Sequence, residues 1–280
     1  MSSPTESRSD DDLLAAARLG DAEALEGLIL RHQPRVLRFG AKMCGNPEDA
    51  GDVAQETLLV MARSLREFRG EASVSTWLYT IARSFCIKKR RRSKFAPARE
   101  ESLEGLETGQ RHELPDPAPG PEQTAFGREV ESALAAAIDA LDPEQREVLV
   151  LRDIEGLTAP EVGQVIGVSV DAVKSRLHRA RLAVRQRVAP VLGMSMDSPR
   201  SVGCPDVLAL FSRYLEGEIG PEQCARMEAH LESCGRCRGA CESLKRTVMA
   251  CRATPTPEVP SAVADAVRDA IRLLVRKQAQ

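Results

Sequence analysis

An all-α fold is predicted by two features of the 280-residue sequence, and a third bears on its cores. Apolar residues recur at helical spacing along nearly the whole chain. Alternating runs rich in β-branched residues, the mark of half-buried strands, are almost absent. Only nine residues are Phe, Tyr or Trp, so several small cores are expected rather than one large one. Six of the nine (Phe39, Phe68, Trp77, Tyr79, Phe85 and Phe95) fall in one early stretch, where the best-packed unit should lie.

Helices are predicted over residues 11–18, 22–40, 47–68 and 74–92, the last two joined by a turn at Gly70, and they define a first helical domain over residues 1–94. Between 95 and 123 the pattern dissolves into Pro, Gly and Glu, an extended acidic tether. Helicity resumes at Thr124 and continues in short segments to Val188, giving a second helical domain over 124–192. After a break through Gly193, Pro199 and Gly203, a Cys-rich unit occupies 200–252. The tail, 253–280, holds a Pro-rich spacer and an amphipathic helix with Val263, Val267, Ala270, Ile271 and Leu274 on one face. That face either docks on another domain or caps its own.

Net charge is only −2, but the charge is segregated. Residues 83–94 hold seven Lys or Arg and no acid, and residues 174–187 hold six more, again with no acid. Two separated basic patches suit phosphate backbones. No apolar run approaches the roughly 18 residues of a membrane-spanning helix, and residues 1–12 are polar and acidic, unlike a signal peptide. A cytoplasmic protein without a membrane partner is expected. Six of eight cysteines lie between Cys204 and Cys251, which in a reducing compartment favours metal binding or redox sensing. Cys44 and Cys86, alone in helical stretches, read as packing residues.

Residues 157–187 carry a helix-turn-helix pattern. Thr158 and Glu161 form a capping box, Pro160 suits a first turn, Gly167 ends the short helix and Ser169 starts the next. In that second helix Val173, Leu177 and Ala180 share an inward stripe, while Lys174, Ser175, Arg176, His178, Arg179 and Arg181 project outward. Such a helix can enter a major groove, with Lys174, Ser175 and Arg176 reading bases and Arg179, Arg181 and Arg185 meeting phosphates. The plainer alternative is a solvated basic face on an ordinary helical hairpin.

In the first domain, Asn46 to Thr57 offers an acidic helix surface for a basic protein partner. Ser75 to Arg83 sets Trp77 and Tyr79 beside the basic tract of Arg83, Lys88, Lys89, Arg90 and Arg91. Rings beside cations suit single-stranded DNA, whose bases stack while its phosphates are neutralised; alternatively Trp77, Tyr79 and Phe85 are simply core. These residues resemble region 2 of extracytoplasmic-function sigma factors of RNA polymerase, and Leu141 to Val188 resembles their region 4. The resemblance covers about two-thirds of the chain. It implies that Asp52, Gln55 and Glu56 bind the β′ clamp helices of core polymerase, with the β flap as a further partner. It also implies that the turn from Arg69 to Thr76 and the following helix capture melted minus-10 promoter bases, and that the helix from Val170 reads minus-35. Where the class commonly has Asn and Asp, this chain has Ser84 and Lys88, which leaves the minus-10 preference open.

In the Cys-rich unit, Cys204, His230, Cys234 and Cys237 supply three thiolates and one imidazole, a full tetrahedral set for zinc. The unit resembles the zinc-binding anti-sigma fold, normally a separate protein that wedges between regions 2 and 4. Its fusion here implies control by intramolecular contact of the tail with both regions. Cys241, seven residues after Cys234, and Cys251 are candidate extra ligands or redox thiols. Copper or cadmium as signal, oxidation with zinc release, and zinc as an unswitched staple all remain open. The leading reading is a non-catalytic promoter-specificity subunit. The alternatives are a helix-turn-helix regulator that does not bind core polymerase, and a zinc enzyme, against which four ready protein ligands argue.

Overall fold

Ser9 starts the chain's first helix. Its hydroxyl accepts from the Asp12 amide while the Asp12 carboxylate accepts from the Ser9 amide, a reciprocal cap that sets α1 (Asp10–Arg18). The computed structural model describes residues 8–44, 46–95, 121–194 and 204–278. Four helices build the first unit: α1, α2 (Ala22–Cys44), α3 (Pro47–Ser64) and α4 (Val74–Phe95). Asn46 caps α3 by accepting from the Asp49 amide at 2.6 Å, and Pro47 fills its first turn. Fully buried Leu28, Phe39, Leu58, Met61, Leu78 and Tyr79 fill the centre, Phe39 and Tyr79 with ring centroids 5.3 Å apart.

Two boundaries differ by four residues from the sequence reading. α2 runs past Gly40, because a Cβ there would lie 3.2 Å from backbone atoms of Ala50; the glycine permits the close approach of α3 and does not end the helix. α3 stops at Ser64, whose carbonyl accepts from the amides of both Glu67 and Phe68. The chain then turns through Gly70 in the left-handed region.

The expected tether lies between 96 and 120 outside the described residues, and its last expected residues already belong to α5 (Pro121–Asp139). α6 (Pro143–Leu149) widens into one turn of π-helix (Val150–Ile154) before α7 (Ala159–Ile166) and α8 (Val170–Val188). The capping box on Thr158 and Glu161 forms, Gly167 takes φ 73°, and Ser169 caps α8.

Three short helices follow: α9 (Val207–Leu215), α10 (Pro221–Ser233) and α11 (Gly235–Arg252). They enclose their own small core of Val207, Leu208, Phe211, Met227, Leu244 and Val248, against which Leu182 of α8 packs. The last helix, α12 (Ser261–Gln278), crosses back to lie on α3. Its Val267 is 1% exposed within the main core, a burial that contributes about 1.5–3 kcal/mol. Among the described residues there is no strand, and no helix is long and apolar enough to cross a membrane.

Candidate nucleic-acid interface and metal centre

The inner stripe of α8, Val173, Leu177 and Ala180, is buried as its spacing required. Of the outward residues, Ser175 and Arg179 are exposed. Lys174 and Arg176 are half-buried in ion pairs, Lys174 Nζ 2.7 Å from Glu218 and Arg176 Nη2 2.8 Å from Glu144. The hydrogen bond to Glu218 holds the Lys174 ammonium above its ordinary pKa. His178 Nδ1 lies 2.9 Å from Ser212 Oγ, and burial lowers its pKa.

Arg181 and Arg185 do not face outward, which corrects the phosphate role expected for them. Arg181, 1% exposed, donates to both oxygens of Asp153, at 2.8 and 2.6 Å, and to Glu216 at 2.7 Å. Arg185 is buried and donates to Ser243 Oγ. Four and eight residues beyond Leu177, both fall on the buried face of the same helix. The arginine-rich C-terminal half of α8 is therefore a seam with the Cys-rich unit.

Tyr79 is likewise corrected. It is 2% exposed, and its hydroxyl donates to Glu155 at 2.6 Å, so it is core and not a platform for bases. Trp77 is half-buried and stacks on Phe68 at 4.5 Å. Along the basic tract, Arg83 pairs with Glu147 of α6, and Lys89 sits 3.2 Å from Asp49 and 2.5 Å from Asp52. Lys88 lies over the Phe85 ring at 5.2 Å, and Arg90 and Arg91 are exposed. Asp52 and Glu56 are exposed and Gln55 is half-buried. Glu56 shares an open groove with Phe85, Lys88, Lys89 and Arg91. Next to Asp52, α12 closes on α3: a Cβ on Gly51 would meet Val263 Cγ2 at 3.3 Å.

Sequence reasoning missed the residue that joins the parts. Arg38 of α2 grips the Glu155 carboxylate through Nε and Nη2, at 2.8 and 2.9 Å. Its Nη1 donates to the Thr254 carbonyl at 3.0 Å and to Thr256 Oγ1 at 2.9 Å. One guanidinium thus bridges the first unit, the π-turn and the spacer before α12. Glu216 and Glu218 were missed as partners of α8. The available signal was two acids flanking Gly217, whose φ of 73° makes a turn that can present both to a basic helix.

The four expected metal ligands converge. One donor atom from each of Cys204, His230, Cys234 and Cys237 lies within 4.8 Å of the others, and the Cys204 and Cys234 sulfurs are 3.9 Å apart. Cys204 precedes α9, His230 lies in the last turn of α10, Cys234 joins α10 to α11, and Cys237 is in the first turn of α11. His230 Nε2 is buried with no hydrogen-bond partner, a vacancy that fits coordination of a metal. The backbone amide of Cys237 lowers the Cys234 thiol pKa, which favours the thiolate a metal needs. Cys241 and Cys251 do not join the group, correcting their expected role as extra ligands. α11 begins only at Gly235, with Cys234 extended before it, so seven-residue spacing no longer places Cys241 on the Cys234 face. Both are buried, and burial pushes their thiols up to about 11 and about 12. Cys241 packs in the core of the Cys-rich unit and Cys251 in the main core.

Comparison with known proteins identifies three families along the chain. Residues 28–95 match the family Sigma-70 region 2, residues 131–184 match Sigma-70, region 4, and residues 204–238 match the family described as "Putative zinc-finger". RNA polymerase sigma-H factor of Pseudomonas aeruginosa is 31% identical over 187 residues, 65% of this chain and 95% of that protein. ECF RNA polymerase sigma factor SigM of Mycobacterium tuberculosis is 34% identical over 188 residues, 66% of this chain and 86% of that protein. Among solved structures, CnrH in complex with the cytosolic domain of CnrY is 26% identical with a TM-score of 0.45, over 63% of this chain and 95% of that one. The chain belongs to the extracytoplasmic-function sigma factors of RNA polymerase, with a zinc-finger-family unit joined behind region 4.

Proposed function

We propose that this chain is a promoter-specificity subunit of RNA polymerase, cytoplasmic and without catalysis of its own, that its C-terminal third holds closed. In the open form Asp52, Gln55 and Glu56 bind the β′ clamp helices and region 4 meets the β flap. Trp77, Arg83, Lys88, Lys89, Arg90 and Arg91 hold melted minus-10 DNA, the cations on phosphates and Trp77 beside the bases. Lys174, Ser175, Arg176 and His178 read minus-35, with Arg179 on phosphate.

The observation that carries the closed form is the occupation of the α8 reading face by the Cys-rich unit, with α12 docked on α3 next to a proposed polymerase-binding face whose Asp52 and Glu56 stay exposed. Glu218 and Ser212 sit on Lys174 and His178, at the place where promoter DNA would lie, while α12 lies on α3 beside Asp52. Zinc, bound by Cys204, His230, Cys234 and Cys237, supplies a structural cross-link that fixes α9 against α10 and α11. A soft ion such as copper or cadmium that competes for the thiolates is the signal this donor set suits best.

The test is run-off transcription and copurification with core polymerase, for the full chain and for a chain ending at Met194. The shortened chain keeps the regions that match Sigma-70 regions 2 and 4, and the Pseudomonas aeruginosa relative is matched over 187 residues, 95% of its own length, which supports its standing alone. The shortened chain should bind core and initiate at least tenfold more than the full chain. If neither form binds core the sigma role fails, and if both initiate equally the closed form is not inhibitory.

A further inference from the structure

Cys44, the last residue of α2, and Cys86, midway along α4, meet inside the first unit with their sulfurs 2.7 Å apart. The two are separated by 42 positions in the chain, which is why sequence reading treated them as unrelated. The separation distinguishes this pair from the metal centre. Two thiolates on one zinc ion stand about 3.8 Å apart, the tetrahedral edge that follows from a Zn–S bond of about 2.3 Å, and Cys204 and Cys234 at 3.9 Å match it. At 2.7 Å the Cys44 and Cys86 sulfurs are in direct contact, close enough for an S–S bond to form without backbone movement. Neither belongs to the described Cys and His cluster. We infer that Cys44 and Cys86 are a redox-modification site, oxidised by a hydroperoxide to an intramolecular disulfide that ties α2 to α4 and is reversed by thiols.

The environment assigns the roles. Cys44 is half-buried at a helix end, whereas Cys86 is 2% exposed. The hydrogen bond from Cys86 lowers the Cys44 pKa and, with Lys89 and Arg90, outweighs burial and Asp49, which raise it. The same contact and burial raise Cys86. Cys44 is therefore the attacking thiol and Cys86 the resolving one. The Cys44 thiolate attacks the peroxide, the O–O bond breaks, and one oxygen stays on sulfur as a sulfenic acid while the other leaves and takes a proton to become water. The Cys86 sulfur then forms the S–S bond as the S–O bond breaks, and its proton leaves with the hydroxyl as a second water. Two thiols and one hydrogen peroxide give one disulfide and two waters.

The experiment uses the full chain with zinc bound. It is titrated with hydrogen peroxide, alkylated, and digested without reduction, with zinc release followed in parallel by a chromogenic chelator. A cross-linked peptide pair joining Cys44 to Cys86, two hydrogens lighter than its parts and lost on treatment with dithiothreitol, is expected before zinc release reaches half. Cys44 in Cys86→Ser should be trapped by dimedone as the sulfenic acid, and Cys44→Ser should leave Cys86 unoxidised. If replacing buried Cys86 prevents folding, the wild-type peptide map and the half-buried Cys44→Ser variant still decide. Recovery of Cys44 and Cys86 both alkylated at peroxide levels that oxidise Cys204 and Cys234, or a disulfide pairing either of them with another cysteine, overturns the assignment.

Discussion

Replacing Glu216 with alanine should loosen the hold of the Cys-rich unit on α8 by about two orders of magnitude. The carboxylate is 7% exposed and takes two charged donors, Arg181 Nη2 at 2.7 Å and Arg152 Nε at 2.8 Å. Arg181 keeps both bonds to Asp153, so it is not stranded; the loss there is one buried charge-assisted bond, about 2 kcal/mol. Arg152, 19% exposed, can turn to water, which limits its share to about 1 kcal/mol. The sum of about 3 kcal/mol corresponds to about 100-fold in the closed-to-open ratio. If the closed form excludes core polymerase, the apparent dissociation constant is the intrinsic one divided by the open fraction, so affinity should rise by up to about 100-fold. Fluorescence anisotropy of labelled core against full-length wild type, Glu216→Ala and the chain ending at Met194 measures it. Affinity within twofold of wild type for Glu216→Ala, alongside tight binding by the shortened chain, would refute the assignment of Glu216 as the latch. Acid should act in the same direction. Burial raises the Glu216 pKa, but Arg181 and Arg152 outweigh it and the net lies below the ordinary value. The latch is thus complete at neutral pH and weakens as pH falls through that lowered value.

Asp10, pulled down to about 2 chiefly by its hydrogen bond with His32 and then by Arg31, stabilises α1 on α2 above about pH 4 and loses that contribution as pH falls towards 2. Asp10→Asn should cost about 1 kcal/mol at pH 7 after allowance for solvent screening and much less at pH 2; urea titrations at the two pH values check it, and equal losses would contradict it. Gly163→Ala would place a Cβ 2.9 Å from the Val168 carbonyl oxygen in the helix-turn-helix, so a loss of about 1–3 kcal/mol is expected in thermal unfolding, and an unchanged Tm would show that the turn can relax. Chelating the metal should expose residues 204–252 to limited proteolysis while α1–α8 persist, and an identical digestion pattern would remove the structural role of the Cys204 cluster.

The helices, the capped turn at Thr158 to Ser169 and the convergence of Cys204, His230, Cys234 and Cys237 were legible in the sequence because each follows from a pattern of residue type and spacing: apolar period, cap residue, Cys and His spacing. What was not legible depends on pairing between distant segments. Arg181 reads as one more cation on a basic helix until Asp153 and Glu216 arrive beside it. Tyr79 reads as a stacking ring until Glu155 takes its hydroxyl. Position alone did hold part of the answer, since Arg181 and Arg185 continue the Leu177 stripe at four-residue steps. Polarity argued for the outside and periodicity for the inside, and periodicity prevailed at Arg181 because Asp153 and Glu216 were available to satisfy its guanidinium, while Arg185 has only the Ser243 hydroxyl.

The ion pairs on α8 differ in how salt reaches them, and this bears on what could open the closed form. Lys174 and Glu218 keep 34% and 26% of their side-chain surface, so salt at cellular strength screens them, whereas Arg181 with Asp153 and Glu216 is sealed. Salt also weakens attraction between α8 and DNA phosphates, so it erodes the latch and its competitor together and cannot act as a selective switch. Selective release has to come from within the Cys-rich unit. Cys204 stands just before α9, while Glu216 caps the other end of α9 and Glu218 follows. On the proposed reading, losing the metal frees the start of α9 from α10 and α11, and the helix whose C-terminal end sets both carboxylates against α8 loses its anchor.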